Sequence, residues 1–235
     1  MISGIFLIIR LVFLPLSVDT RSDIPDKNPS SAYEVLYEHL GCHDMDFLAF
    51  RLAYEGYLNL NGQGVLERDS ILTLIDFSKP STEERLFIID LKHEKVLEKT
   101  LVAHGKNTGT LYAEHFSNTP HSNQSSLGFY VTDHTYLGKH GYSLRIRGVE
   151  PGINHKAWDR AIVIHGANYV STSFIRKYGR LGRSFGCPAL PPEQNSRIID
   201  LIKDKSCLFI FSPNEDYFNT TSLISSSDYL QTKSE

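Results

Sequence analysis

Hydrophobic positions recur at two different spacings, and the change between them separates a short helical part of the chain from a longer strand-rich part. Apolar residues at helical spacing predict a first helix that Ser31 caps, with Glu34 completing a capping box, and that Gly41 ends. A second helix is predicted over residues 45–58, where aromatic residues recur every three or four positions. We interpret that aromatic stripe as packing surface.

From about residue 70 onward the apolar runs become short and are separated by turns, which is typical of strands. Strands are predicted at 72–77, 85–91, 96–103, 127–132, 143–147, 161–164 and 208–211. A long polar loop covers 105–126, and one late helix begins at Pro192. Because the strands follow one another through hairpins and loops and do not alternate with helices, we predict a mixed α/β, β-rich fold.

The two ends of the chain differ from this body. The apolar run within residues 1–20 is too short and too interrupted to span a membrane and is typical of a secretory signal. It lacks an N-terminal Lys or Arg and an A-x-A site, so both a cleaved signal peptide and an uncleaved anchor stay open. We predict a linker at 21–30, a helical segment at 31–69, one main domain at 70–212 and a polar tail at 213–235.

Composition narrows the class of protein. Hydrophobic residues make up 41% of the chain and charged residues 22%, as in an ordinary globular domain. The net charge is −3, which argues against nucleic acid as a partner.

Three cysteines are present, and their odd number leaves at least one of them unpaired in an oxidising compartment. Cys42 and Cys207 could both be structural, and the sequence leaves open whether they form a disulfide. Cys187 lies in Ser-Phe-Gly-Cys-Pro, a context that suits chemistry.

The candidate chemistry lies in residues 161–190, where His165 ends an apolar strand and Cys187 follows a glycine. A thiol is mostly protonated near pH 7, and a neighbouring imidazole can activate it. The amides of Gly186 and Cys187 could form an oxyanion hole, and the Gly166 carbonyl could fix the imidazole tautomer. A buried structural thiol and a core histidine fit the same residues equally well.

These residues resemble a known family. His165-Gly166 followed by SFGC at 184–187 is similar to the H-G … [ST]-x-G-C signature of L,D-transpeptidase (YkuD-like) catalytic domains. The stretch SSLGFYV at 125–131 looks like the element that precedes the active site in that family. The resemblance covers about residues 70–212, is strongest to the Gram-negative murein branch, and implies a β-sandwich catalytic domain behind a small N-terminal helical segment.

The resemblance implies a mechanism. The Cys187 thiolate attacks the diamino acid–D-Ala bond of a peptidoglycan stem tetrapeptide, with His165 as base, and forms a thioester. An amine from a second stem then gives a 3-3 cross-link, whereas water would make the protein an L,D-carboxypeptidase. Stem peptides are the implied donor and acceptor partners, with no cofactor and no metal. The implied location is the periplasm or cell envelope of a Gram-negative bacterium, and we expect a monomer.

The sequence departs from the family pattern around the cysteine. Phe185 replaces the usual His, Pro188-Ala189 replaces an apolar residue followed by Arg or Asn, and the spacer after His165 is slightly long. Without that Arg or Asn, the contact to the substrate carboxylate lacks its usual residue. We expect Arg183 or Arg180, in a basic glycine-spaced loop, to replace it.

Other residues have weaker signals. Ser184 is expected to support the thiolate or the oxyanion by hydrogen bonding, although it could be a turn residue. Tyr142, Tyr169 and His140 could line the cleft or be structural, and among them we predict Tyr169 as a substrate contact.

Three further functions fit parts of the sequence. Seven histidines between 104 and 165 suggest a zinc peptidase, but no H-E-x-x-H helix is present and His93-Glu94 lacks the second His. A non-catalytic cell-wall-binding module would not need Cys187, His165 and Gly186 together. Thiol redox chemistry would need a C-x-x-C motif, which the chain does not have.

Overall fold

The computed structural model describes residues 29–225. The predicted signal peptide or anchor, most of the predicted linker and residues 226–235 lie outside the described part. The helices are α1 (Pro29–Leu40), α2 (Phe47–Gly62), α3 (Thr172–Tyr178), α4 (Pro192–Ile202) and α5 (Glu215–Thr220). The strands are β1 (Ile71–Asp76), β2 (Leu86–Asp90), β3 (Lys95–Thr100), β4 (Gly128–Gly138), β5 (Gly141–Gly148), β6 (Val163–Gly166), β7 (Ala189–Leu190) and β8 (Cys207–Phe211).

The eight strands form one continuous hydrogen-bonded sheet in the order β3-β2-β1-β8-β4-β5-β6-β7. The β1–β8 and β6–β7 pairs are parallel, and the other neighbours are antiparallel. The predicted mixed, β-rich class with a helical N-terminal segment is confirmed.

The core lies around the middle of the sheet, where all residues of β1 and β8 are buried. Phe129 of β4 pairs with Phe209 of β8, and their rings stack with centroids 4.2 Å apart. Helix α2 packs on this centre so closely that a Cβ on Gly56 would lie 2.0 Å from the Phe129 ring. The predicted aromatic stripe is packing surface here, since Phe50 and Tyr57 are buried. Each such fully buried side chain contributes about 2 kcal/mol through removal of apolar area from water.

The C-terminal part of the described chain differs from the predicted polar tail. Asn214 caps α5 by accepting a hydrogen bond from the Tyr217 amide at 2.9 Å, and both Tyr217 and Phe218 are buried. The buried Glu150 accepts a hydrogen bond from the Phe129 amide at 2.6 Å and one from the Thr221 hydroxyl. Leu223 and Ile224 are buried as well, so four apolar side chains among polar neighbours pack residues 213–225 against the body. Within residues 29–225 no helix is long and apolar enough to cross a membrane.

Candidate active site

A cleft of about 480 Å³ opens between the β4–β5 hairpin, strand β6 and the loop that leads into β7. Among the predicted site residues, Cys187, His165, Ser184, Arg183 and Tyr169 line this cleft. The structure thus brings together side chains that are up to 22 positions apart in the sequence, counting from His165 to Cys187.

Strand register explains why the histidine and the cysteine share the cleft. His165 of β6 pairs with Ser143 of β5 on one side and with Ala189 of β7 on the other. Because the β6–β7 pair is parallel, Cys187, two residues before Ala189, lies beside Val163, two residues before His165. The Val163 amide accordingly donates to the Cys187 Sγ at 3.4 Å.

The His165 imidazole is held in one tautomer. Its Nδ1 lies 2.9 Å from the Gly166 carbonyl oxygen, which can only accept, so Nδ1 carries the proton and Nε2 has a free lone pair. The ring is buried, and this burial lowers the pKa of His165; the neighbouring His140 and Lys139 lower it further, whereas the Gly166 carbonyl acts in the opposite direction. The imidazole is therefore neutral at pH 7 and can act as a base.

The Cys187 thiol is half-buried and contacts backbone groups. Besides accepting from Val163, its Sγ lies 3.8 Å from the Ala161 carbonyl oxygen, to which it donates. Within residues 29–225 the thiol makes no hydrogen bond to His165. Burial raises the pKa of Cys187, and the Val163 amide together with the charges of Arg160 and Lys139 opposes this rise. The two groups thus rest as a neutral thiol and a neutral imidazole.

The turn before the cysteine is fixed by its own hydrogen bonds. The Ser184 hydroxyl accepts from the Gly186 amide at 3.0 Å and donates to the Cys187 carbonyl at 2.7 Å. Because the Gly186 amide is used in this way, the predicted oxyanion hole loses one of its two donors. The Cys187 amide donates to no backbone carbonyl of the described chain, and it interacts with its own thiol, whose pKa it helps to lower. Ser184 therefore shapes the turn, and in the described chain its hydroxyl makes no hydrogen bond to the thiol.

Gly186 itself adopts a backbone conformation that favours glycine. Its φ is +126°, and a Cβ at this position would lie 2.8 Å from the Gln124 carbonyl oxygen. The Gly186 carbonyl accepts a hydrogen bond from the Ser125 hydroxyl at 3.1 Å. This hydrogen bond attaches the cysteine turn to the end of the long polar loop, and the space beside Gln124 leaves no room for a side chain at position 186.

The two arginines predicted to bind carboxylate lie in different places. Arg183 lines the cleft, but its Nη1 already donates to the carbonyls of Lys106 and Gly109 at 3.0 and 2.8 Å. Arg180 is not among the residues that line the cleft, and its Nη1 donates to the Leu181 carbonyl at 2.7 Å.

Arg160, which was not among the predicted site residues, lines the cleft and organises the long loop. Its Nη1 donates to the Ser117 carbonyl at 2.7 Å and to the Ser126 hydroxyl at 2.6 Å, and its Nη2 donates to the Gln124 carbonyl at 2.5 Å. Arg160 stands immediately before a predicted strand, and nothing in that position distinguishes it from a solvated charge.

The turn of the β4–β5 hairpin supplies two more cleft residues, Lys139 and His140. They are the two residues between Gly138 and Gly141, which pair with each other across the turn. The His140 ring stacks on the His165 ring with centroids 4.3 Å apart. His140 was a possible lining residue on the sequence alone, whereas Lys139 was not among the predicted site residues.

Other candidate features fall outside the cleft. Cys42 and Cys207 are both free thiols, the first half-buried after α1 and the second buried in β8. The histidines do not gather with other ligand side chains, since residues 29–225 hold no group of three or more His, Cys, Asp or Glu placed to bind a metal ion.

Comparison with known proteins identifies the family. The L,D-transpeptidase catalytic domain family matches residues 42–211, which extends into the helical segment before residue 70. No curated protein sequence matches significantly.

The solved structures that resemble this chain are distant from it. An L,D-transpeptidase from Mycobacterium smegmatis is 12% identical, with a TM-score of 0.39 over 61% of this chain and 59% of that one. L,D-transpeptidase 3 from Mycobacterium tuberculosis is 9% identical, with a TM-score of 0.40 over 61% of each chain. A fused Zn-dependent amidase/peptidase/peptidoglycan-binding protein from Clostridium acetobutylicum is 16% identical, with a TM-score of 0.37 over 80% of this chain and 64% of that one.

This chain spans about three-fifths of the length of the L,D-transpeptidase structures it matches. The family assignment accordingly rests on the match over residues 42–211, which covers well over half of the chain. The chain belongs to the L,D-transpeptidase catalytic domain family.

Proposed function

We propose that this protein is an exported peptidoglycan L,D-transpeptidase that acts as a monomer, with Cys187 as nucleophile and His165 as base. Family membership supports the reaction class. The observation that carries the assignment of residues is the neutral His165, whose Nε2 is free because Nδ1 is bonded to the Gly166 carbonyl, in the same cleft as the Cys187 thiol.

The first half-reaction starts from the neutral pair. The thiol turns away from the Ala161 carbonyl toward His165, and its proton passes to Nε2 as the sulfur attacks the carbonyl of the diamino acid–D-Ala bond. The Cys187 amide stabilises the oxyanion. His165 then protonates the leaving D-Ala amine, and a thioester remains on Cys187.

The second half-reaction uses the same residues, and the order of bond formation and proton transfer is reversed. An amine from a second stem peptide gives its proton to Nε2 and attacks the thioester carbonyl. The C–S bond breaks, the thiol regains the proton from His165, and a 3-3 cross-link is released. With water in place of the amine, the same steps give L,D-carboxypeptidase activity.

A second pocket favours an amine acceptor over water. It has a volume of about 600 Å³ and shares Lys139, His140 and Tyr169 with the cleft that holds the thiol. Gly166, which directly follows the base, also lines it. An adjoining pocket of this size gives a second peptide room to approach, which a hydrolase would not need.

Products formed by the full-length protein from a disaccharide tetrapeptide muropeptide test this proposal. We expect release of D-Ala together with a 3-3 linked dimer, and loss of both in Cys187→Ala. Release of D-Ala without dimer would replace the transpeptidase with the carboxypeptidase. No release by folded wild-type protein would contradict both enzymes and favour the non-catalytic cell-wall-binding module.

A further inference from the structure

The cleft is positively charged although the whole chain carries a net charge of −3. Three of its lining residues are the cations Lys139, Arg160 and Arg183, and no Asp or Glu is among the described residues that line it. The adjoining pocket is also lined without a carboxylate. A cleft with one sign of charge concentrates ligands of the opposite sign, so this one favours an anionic ligand.

The three cations differ in what they already bind. The guanidinium of Arg160 donates to Ser117, Ser126 and Gln124. The Arg183 guanidinium donates to two backbone carbonyls of the long loop. The Lys139 ammonium, in contrast, makes no hydrogen bond and no ion pair with any described residue. Its three donors and its full charge remain available to a ligand.

Lys139 is also placed beside the catalytic base. It occupies a two-residue hairpin turn next to His140, whose ring stacks on His165. Its charge acts on both His165 and Cys187, which indicates that the ammonium is near both groups. A short turn between paired strands fixes the backbone, and the flexible lysine side chain provides the reach.

The position of the base indicates which anion Lys139 meets. As general acid, His165 must come within about 3 Å of the leaving amine nitrogen. In a donor peptide that ends with the leaving residue, the terminal carboxylate is attached to the carbon that bears this nitrogen. The carboxylate therefore lies on the His165 side of the cleft, where Lys139 is.

We propose that Lys139 binds the terminal carboxylate of the leaving residue and so selects donor peptides that end one residue after the scissile bond. This inference rests on the proposed function and deepens it. It assigns the carboxylate contact to the β4–β5 hairpin, whereas the sequence analysis expected it from Arg183 or Arg180. In a longer donor peptide, a neutral amide would replace the terminal carboxylate of the leaving residue, and Lys139 would lose its anionic partner.

The test compares a tetrapeptide acid with its C-terminal amide in wild type, Lys139→Ala, Lys139→Arg and Lys95→Ala. Lys95 is a matched control because it is an exposed lysine on β3, at the other end of the sheet. For the acid, Lys139→Ala should lower kcat/KM about 10-fold, mainly through KM, because a charge-assisted hydrogen bond is lost at a partly solvated site. For the amide, the same substitution should change kcat/KM less than about 2-fold. Lys139→Arg should restore most of the loss, and Lys95→Ala should behave as wild type.

Binding to Cys187→Ala, measured by calorimetry with the same two peptides, separates this inference from the proposed function. In the Cys187→Ala background, adding Lys139→Ala should weaken binding of the tetrapeptide acid and leave binding of the amide unchanged. This result is expected even if the wild-type protein turns over neither peptide. Equal losses for acid and amide would overturn the proposal. A charge-dependent loss in Arg183→Gln with none in Lys139→Ala would also overturn it and return the contact to Arg183.

Discussion

At the scale of single residues, the protonation states of Cys187 and His165 decide how the proposed reaction would start. Burial raises the pKa of the thiol and lowers the pKa of the imidazole, so both changes disfavour an ion pair. Proton transfer must then accompany attack, because little thiolate exists beforehand. This distinguishes the site from cysteine enzymes that store a thiolate–imidazolium pair.

The rate of Cys187 alkylation by iodoacetamide, measured against pH, checks this account. Because the thiol pKa is raised, the rate should rise with pH without a plateau at or below about pH 8. The acidic limb of kcat/KM should lie below about pH 6.5, since His165 has a lowered pKa and becomes protonated only below that pH. A fast, constant alkylation rate between about pH 5 and pH 8 would instead reveal a preformed ion pair.

A second residue-scale prediction concerns Gly186. Replacement with Ala requires a residue with a side chain to adopt φ +126°, and its Cβ would lie 2.8 Å from the Gln124 carbonyl oxygen. We expect Gly186→Ala to lower the free energy of unfolding by about 2–3 kcal/mol and to abolish activity through a displaced Cys187 turn. Gly152→Ala is the control in urea denaturation, because its φ is +82° but a Cβ there meets nothing within 4 Å. Equal losses in the two variants would show that the close contact to Gln124 is unimportant.

At the scale of elements, most strands and the three longest helices, α1, α2 and α4, were predicted from the sequence, and the elements whose formation depends on partners were missed. Strand β7 has only two residues and is defined by its pairing with β6. Helix α3 has a Ser171 N-cap and a Gly179 C-cap, but none of its residues is buried, so no apolar periodicity marks it. Elements without a buried face leave only their capping residues as a signal.

Dependence on partners that are distant in the sequence also limits how much of the candidate site could be predicted. His165, Cys187 and the Gly166 carbonyl contact were predictable, because they lie in short motifs with local geometry. Lys139 and Arg160 come from other elements, and only the antiparallel β4–β5–β6 register brings the Lys139 turn to His165. The hydrogen bond that occupies the Gly186 amide was also not predictable, since a Ser-x-Gly turn fits several arrangements.

An element-scale prediction follows for the long loop that Arg160 holds. Arg160→Lys keeps the charge near Cys187 but loses the planar fork that reaches Ser117, Ser126 and Gln124. We expect faster amide hydrogen exchange in residues 117–126 and a loss of about 2 kcal/mol in unfolding free energy, because several hydrogen bonds from a charged group are lost. Arg147→Lys, at an exposed arginine that pairs with the half-buried Asp133, is the control and should leave this exchange unchanged. Unchanged exchange in both variants would mean that the loop is ordered without Arg160.

At the scale of the whole molecule, the C-terminal segment belongs to the folded body. Tyr217 is buried, and its ring lies 6.1 Å from that of Phe209 in the central strand β8. We expect Tyr217→Ala to lower the free energy of unfolding by about 3–4 kcal/mol, as for other buried aromatic residues. Tyr178→Ala, at an exposed ring, should cost under about 1 kcal/mol. Similar urea midpoints for the two variants would show that α5 does not contribute to the core.

The proposed function requires acylation at one atom, the Cys187 sulfur. Intact mass of the full-length protein after incubation with a carbapenem tests it most directly, because the drug forms a lasting thioester with a reactive thiol. We predict one adduct on wild type and on Cys42→Ala, which removes the half-buried free thiol outside the cleft, and none on Cys187→Ala. An adduct that persists in Cys187→Ala, or no adduct on folded wild-type protein, would contradict the account.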